Sequence, residues 1–408
     1  RDAQESRGLG DVYKRQAQQK IAELFLELAR LNAADWNDVL KHAEKLLAIN
    51  AQNSSGLHAR GLAKLKLRAS REEYAAEGLK DLVAARDLGP ENPEYANSLA
   101  SHHFDLAQDQ FQQASTRVRT DPVGANELYR KGLDELAQAN NVFESLFAKA
   151  ENSPKGRYYY GQYLQALGQL YAQLAMTSLG SREQHRSMSR KAMEDSLAAL
   201  ERAAELAPND FETRIALGQY WITRASIEPS PETSEAGGSA TTQPLRDSYF
   251  RRAEAALVQA IDLAPNEFAN YLALGQLYQM QGKLKEAAQV YQERIDRRMV
   301  PSGRMKWLDR AYRGRLLSEA FRVAMQRMAA PPEDRPSNDA LMKQAEEYYQ
   351  QAVSESPEGE KDWNVLLMRG RLKLARGDVR GALKDLEDAR TASRGGTPEL
   401  VLFLANAY

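Results

Sequence analysis

At 408 residues the chain is long enough for two or three compact domains, yet no shift in composition divides it. Lys plus Arg number 55 against 56 for Asp plus Glu, so there is no global basic field of the kind that sequence-independent nucleic-acid binding needs, and nucleic acid is not the expected partner. Cysteine is absent, which removes disulfides, thiolate nucleophiles and Cys-ligated zinc together, and no stretch approaches the roughly 18 to 20 apolar residues of a membrane span.

Taken in order, residues 1–16 resemble the translated sequencing-adapter tail found at the ends of metagenomic reading frames and are set aside from fold reasoning. No initiator Met is present, so the sequence does not fix a compartment. Apolar spacing predicts a first, weak helix pair over 18–31 and 36–49, then a pair over 54–69 and 72–88, with Pro90 and Pro93 bracketing the next turn. Two overlong helices follow, 93–115 and 123–151, the second opened by Asp121 as N-cap with Pro122 at the first helical position. The small residues Ala100 and Gly168 stand 68 apart, so an extra hairpin inside this span is the alternative register.

The next pair covers 155–178 and 182–206. A fifth opens over 211–226 and breaks into 227–246, a stretch of Pro, Ser, Thr and Gly without apolar periodicity, expected as a disordered insertion that loops out before a helix at 247–263. Phe268, Tyr271, Leu274 and Tyr278 mark the next opening helix, Gly282 turns the chain, and Ala287 and Tyr291 lie on the returning one. A seventh pair spans 303–328 and 338–354 around a Pro-rich break, and an eighth 361–376 and 379–392. A ninth begins at Pro398 and stops at Tyr408. Leu400, Val401, Leu402, Phe403 and Leu404 make no polar cap, so the array is expected to continue, incomplete at both ends.

Two patterns recur through these elements. Ala253, Leu257 and Ala260, at intervals of four and three, form one helical stripe closed by Pro265. The same spacing returns as Gly78, Leu82, Ala85 and Pro90, as Ser196, Leu200, Ala203 and Pro208, and as Ala345, Tyr349, Ala352 and Pro357. Ala382, Leu386 and Ala389 repeat it without the proline, and Ala51 stands where a proline would follow the helix ending at Asn50. On the opening helices a large residue precedes a small one, Leu274-Gly275, Leu99-Ala100, Leu167-Gly168, Leu217-Gly218 and Leu404-Ala405, with Arg60-Gly61, Arg313-Gly314 and Arg369-Gly370 as degenerate copies. Gly275 has no side chain and lets a neighbouring helix approach.

This order resembles the tetratricopeptide repeat, a unit of about 34 residues, over nearly all of residues 18–408. The resemblance implies an all-α, right-handed α-solenoid of about eight helix hairpins plus a truncated ninth. Its first helices would line a concave groove that holds a partner protein or an extended peptide. It is specific to the fold and silent on the partner. The implied function is a non-catalytic interaction scaffold, the alternative being a regulatory or substrate-binding arm of a larger enzyme such as a glycosyltransferase or kinase.

Catalytic signatures are missing: no phosphate-cradling glycine loop, no His-Glu-x-x-His zinc pattern, no Gly-x-Ser-x-Gly elbow. Of five histidines only His102-His103 suggests a metal, but adjacent residues on a helix point about 100 degrees apart, and no carboxylate pattern completes a shell. Neither metal nor cofactor is expected, and the chain is not read as an enzyme. Tyr158, Tyr159, Tyr160 and Tyr163 fit packing between repeats, with an aromatic binding surface as the alternative.

Family geometry turns the residue after each small marker toward the groove. These residues are Leu62, Ser101, Gln169, Gln219, Gln276, Arg315, Arg371 and Asn406. Gln169, Gln219 and Gln276 can donate and accept, which suits an extended backbone; Arg315 and Arg371 suit an acidic segment or a C-terminal carboxylate. Arg304, Lys306, Arg310 and Arg313 outnumber Asp309 and Glu319, so the seventh hairpin reads as locally basic. The Lys and Asn pairing of chaperone-tail adaptors is lacking, so that partner is not expected.

Overall fold

A computed structural model describes residues 18–23, 25–26, 35–227, 239–297, 306–331, 336–356, 358–393, 400–401 and 403–404, with the backbone alone at 239–243 and 306–312. Its helices are α1 (Trp36–Ile49), α2 (Ser54–Lys66), α3 (Glu73–Leu88), α4 (Pro93–Arg117), α5 (Pro122–Lys149), α6 (Pro154–Leu174), α7 (Arg182–Leu206), α8 (Phe211–Ile227), α9 (Ser239–Leu263), α10 (Phe268–Met280), α11 (Leu284–Asp296), α12 (Lys306–Arg327), α13 (Asn338–Glu355), α14 (Trp363–Ala375) and α15 (Val379–Ala392). Among the described residues there is no strand. Two compact units divide the chain, 1–246 and 247–408.

Local chemistry sets the helix starts. Asn53 Oδ1 accepts from the Gly56 amide at 2.7 Å, Asp121 Oδ1 from Gly124 at 2.9 Å, and Ser153 Oγ from Gly156 at 3.1 Å, each satisfying an otherwise orphaned donor worth about 1 kcal/mol. Gly282 and Gly377, both at positive φ, end α10 and α14. The amides of Lys283 and Asp378 reach back to the Tyr278 and Lys373 carbonyls at 2.8 and 2.9 Å, the Schellman closure that an αL glycine permits.

In the first unit α2 packs antiparallel on α3, α4 on α5 and α6 on α7; in the second, α10 pairs with α11, α12 with α13 and α14 with α15. The recurring stripe is the seam of these hairpins. Leu82, Leu200, Leu257 and Leu386 are fully buried, as are their flanking small residues. Against most of these seams lies a glycine of the first helix. A Cβ on Gly61 would stand 2.9 Å from the Gly78 carbonyl oxygen and 3.0 Å from Leu82; one on Gly161, 2.6 Å from Leu200; one on Gly370, 3.0 Å from Leu386; and Gly275 lies against the Tyr291 ring.

Two of these seams escape the sequence pattern. In α5 the stripe is Ala139, Phe143 and Leu146, buried but with Phe and Leu at places held elsewhere by Leu and Ala, and with Glu151 in place of the proline. In α11 it is Ala287, Tyr291 and Arg294. Arg294 occupies a core position because its guanidinium lies 3.6 Å from the Phe268 ring centroid and donates to the Asn266 carbonyl at 2.6 Å, so the charge is both stacked and hydrogen-bonded.

α4 is unbroken over 93–117 and α5 over 122–149, with only a short turn between them, which decides the register in favour of two long helices. The helix expected from 247 begins at Ser239, so 239–246 is not part of a loop. Pro244 keeps its fixed φ within the helical range there and gives up one amide donor. Residues 228–238 of the expected insertion lie outside the described residues, as do 1–16. Leu400 and Leu404 are buried against Leu366, Leu367, Leu386 and Ala389, while Val401 is exposed.

The sign of a glycine substitution follows from what stands opposite. Gly61→Ala pushes a methyl onto a backbone carbonyl that cannot move aside, an overpacking cost of about 1–3 kcal/mol that outweighs a helix-propensity gain of about 1 kcal/mol. At Gly314 nothing among the described residues stands within 4 Å of a new Cβ. Urea midpoints are expected to fall for Gly61→Ala and to hold or rise for Gly314→Ala; the reverse order would contradict the seam.

Candidate interaction surface on the first helices

The contact of glycine with stripe fixes which residues share a position. In α6 the glycine opposite Leu200 is Gly161, ten residues after Glu151 just as Gly61, Ala100, Gly218 and Gly275 follow Ala51, Pro90, Pro208 and Pro265. Gly168 instead meets Met193, two turns before Leu200 on α7. Gln162, not Gln169, is therefore the equivalent of Gln219 and Gln276. Gln169 lies two turns on along the same face, and it is exposed. Ser189 and Ser196 bind α7 to the same two glycines, each donating to a carbonyl, Gly168 and Gly161, at 2.7 Å.

On the first unit's α4, α6 and α8 the polar face is cross-linked between helices. Gln165 Nε2 donates to Thr223 Oγ1 at 2.6 Å and to the Gln219 carbonyl at 3.3 Å, and Gln169 Nε2 donates to the same Thr223 oxygen at 3.1 Å. Lys155 pairs with Glu212 across the same two helices, its ammonium 4.4 Å from the Tyr158 centroid and 5.3 Å from that of Tyr159. Tyr159 reaches Glu94 of α4 at 3.5 Å. Burial pushes the Tyr158 phenol up to about 12, against a hydrogen bond with Gln162 that lowers it. The tyrosine cluster thus divides: Tyr160 and Tyr163 pack on Phe143 at 5.1 and 5.4 Å, whereas Tyr158 and Tyr159 sit beside Lys155 on the polar face.

In the second unit Gln276 is half-buried and Arg315 exposed. Arg371 is neither free nor on a wet face. It is 8 % exposed, with its guanidinium 5.3 Å from the Phe321 centroid and 4.5 Å from that of Phe403, so its stem and charge are committed to the core. Asn406 and Arg304 lie outside the described residues, as do the side chains of Lys306, Asp309 and Arg310; Arg313 pairs with Glu355 at 3.3 Å.

Sequence reasoning also missed a repeated ion cluster, for which the signal was the Arg-Gly pair itself. Arg60 binds Asp81 through Nε and Nη2, both at 2.7 Å, with Lys64 at 3.6 Å; Arg369 binds Asp385 at 3.0 and 2.8 Å, with Lys373 at 2.7 Å. In both hairpins Arg precedes the glycine, Lys follows three later, and Asp precedes the seam leucine. Asp385 is nearly buried, and the bonds from Arg369 and Lys373 hold its carboxyl below the ordinary range although burial alone would raise it.

Three histidines are interior. His58 Nε2 lies 2.7 Å from Ser98 Oγ, His185 Nε2 2.7 Å from the Tyr129 hydroxyl, and His102 is 7 % exposed beside His103, whose Nδ1 meets Glu135 at 2.7 Å. Burial above all, then His103 and Arg68, lowers His102 to about 4, and burial lowers His185. Among the described residues no three His, Cys, Asp or Glu side chains are grouped to hold a metal ion, and no helix is long and apolar enough to cross a membrane.

No family model matches the chain, and no curated protein matches it. Solved structures of similar backbone include a human IFIT1 dimer with m7Gppp-AAAA, 13% identical at a TM-score of 0.43, covering 88% of this chain and 68% of that one. Another is the APC/C hetero-tetramer Cut9-Hcn1, 12% identical at 0.38, covering 91% and 59%. A third is a tetratricopeptide repeat protein from Parabacteroides merdae, 14% identical at 0.35, covering 96% and 99%. What the chain itself shows, among the described residues, is an all-helical fold of repeated helix hairpins, each pair joined along a seam.

Two outcomes follow from these placements. The lowered His102 makes the unfolded chain bind more protons, so this group's contribution to stability is full above about 6.5 and is lost as pH falls toward about 4, at most about 3 kcal/mol. His102→Gln should flatten that part of the urea-midpoint profile; an unchanged profile would contradict it. Arg371→Ala should lower the free energy of unfolding by about 1–2 kcal/mol, read as a fall in the urea midpoint, while Arg315→Ala leaves it unchanged.

Proposed function

We propose that this chain is a non-catalytic scaffold that holds an extended segment of a partner protein along the first helices of the first unit. The observation that carries the reading is the polar row of α6 and α8, in which Thr223 Oγ1 accepts from Gln165 and Gln169 and the Gln219 main-chain carbonyl accepts from Gln165, with Gln162 one turn before Gln165. The two carboxamides so held, Gln165 and Gln169, cost little side-chain entropy on binding and meet main-chain groups whatever the ligand's side chains. The neighbouring Tyr158 and Tyr159 add apolar area beside it. A formal net charge of -1 disfavours a nucleic-acid ligand for the same face. Arg315 is the one cation of the expected acidic-segment site that keeps an exposed side chain; burial of Arg371 removes the pair on which that narrower reading stood.

Selection of peptides from a displayed random library on the immobilised full chain supplies ligands for the test. Replacing Gln165, Gln169 and Gln219 together by Ala should weaken the selected peptides about tenfold, the loss of about 1.4 kcal/mol, at unchanged helicity. Replacing the exposed Glu194 and Glu201 of α7 by Ala should leave them unaffected. Equal effects of the two sets, or none from the first, would reject the assignment.

A further inference from the structure

Thr223 lies on α8, 8 % exposed, and its hydroxyl oxygen receives two amide nitrogens from α6. A main-chain carbonyl only accepts, so the bond from Gln165 to the Gln219 carbonyl fixes which end of that carboxamide is nitrogen. Gln165 has thus committed its donors inward, and Gln169 has committed one to the same oxygen. No described residue donates to either carboxamide oxygen, and the Gln165 oxygen is not buried. Lys155, the cation at one end of the row, is already paired with Glu212.

We infer that Thr223 sets the hydrogen-bonding polarity of this face, so that it presents acceptors and selects an extended polypeptide segment bearing lysine or arginine over an acidic one. The inference rests on the proposed function and narrows its partner. A carboxylate side chain offered to Gln165 would meet a carboxamide oxygen, the amide hydrogens being already taken, and at Gln169 a single remaining N–H, whereas an ammonium or guanidinium donates to both oxygens, and bonds to charged groups are the stronger kind. Thr223 is a positioning residue: it touches the two glutamines and acts on the ligand through them.

The test uses the full chain and three blocked peptides of equal length, serine alternating with lysine, glutamine or glutamate. The lysine peptide should bind about tenfold more tightly than the glutamate one, with glutamine between, and the order should persist in salt strong enough to screen distant charges. Thr223→Val frees the carboxamides to turn over and should bring the lysine-to-glutamate ratio toward one; Thr223→Ser keeps the hydroxyl and should keep the ratio. If Thr223→Val does not fold, Gln165→Leu with Gln169→Leu removes the oxygens directly and should abolish the same preference. A ratio unmoved by these changes, or a wild-type preference for glutamate, overturns the inference alone. Failure of all three peptides to bind overturns it together with the proposed function.

Discussion

The close approach of a first-helix glycine to the seam of its partner helix is the constraint on which the rest depends. Gly61 against Gly78 and Leu82, Gly161 against Leu200, Gly275 against Tyr291 and Gly370 against Leu386 each fix both the distance and the rotation of a hairpin. Once rotation is fixed, one row beside the glycine enters the seam and the residue after the glycine turns away from it, to solvent at Gln219 and against Phe321 and Phe403 at Arg371. The long helices α6 and α7 make the contact twice, with Gly161 and Gly168 seven residues apart and Ser196 and Ser189 hydrogen-bonded to their carbonyls.

Among the described residues, the charges that enter the interior of these hairpins are paired or stacked. Asp81 and Asp385 lie beside the seam leucine and each takes a two-nitrogen Arg from the facing helix. Arg294 stacks on Phe268 and donates to a loop carbonyl, and Arg371 lies between two phenylalanine rings. A lone charge in such a place would cost several kcal/mol; paired or stacked, it replaces the usual Leu or Ala without loosening the fold. The same substitutions blur the repeat in the sequence. Apolar periodicity counts Arg294 as polar, yet it fills a seam position.

Much of the architecture was legible for simple reasons. The stripes at 82, 200, 257 and 349 combine period, small flanks and a following proline, so each forced a helix end and a buried face together, and the one at 386 has the period and flanks alone. The α5 stripe was not legible, because Phe143 and Leu146 enlarge two of its three positions and no proline marks its end. Gly168 satisfied the Leu-Gly-aromatic pattern better than Gly161 did, and only the position of Leu200 separates them. The outward direction of Gln219 and Arg315 followed from the repeat alone. Arg371 failed for lack of non-local information: Phe321 and Phe403, the rings that hold it, lie fifty residues before it and over thirty after. The donor polarity of Gln165 and Gln169 was equally out of reach, since Thr223 lies more than fifty residues away.

Absence of cysteine makes one experiment unusually clean. Single cysteines placed at Gln173 and Gln219, exposed on α6 and α8, and at Glu194 and Glu201, exposed on α7, can each carry one environment-sensitive fluorophore on an otherwise unlabelled chain. On titration with a bound extended peptide, the two first-helix labels should change emission with a common midpoint while the two α7 labels stay constant. A response at the α7 labels with silence on α6 and α8 would place the partner on the second helices and contradict the account.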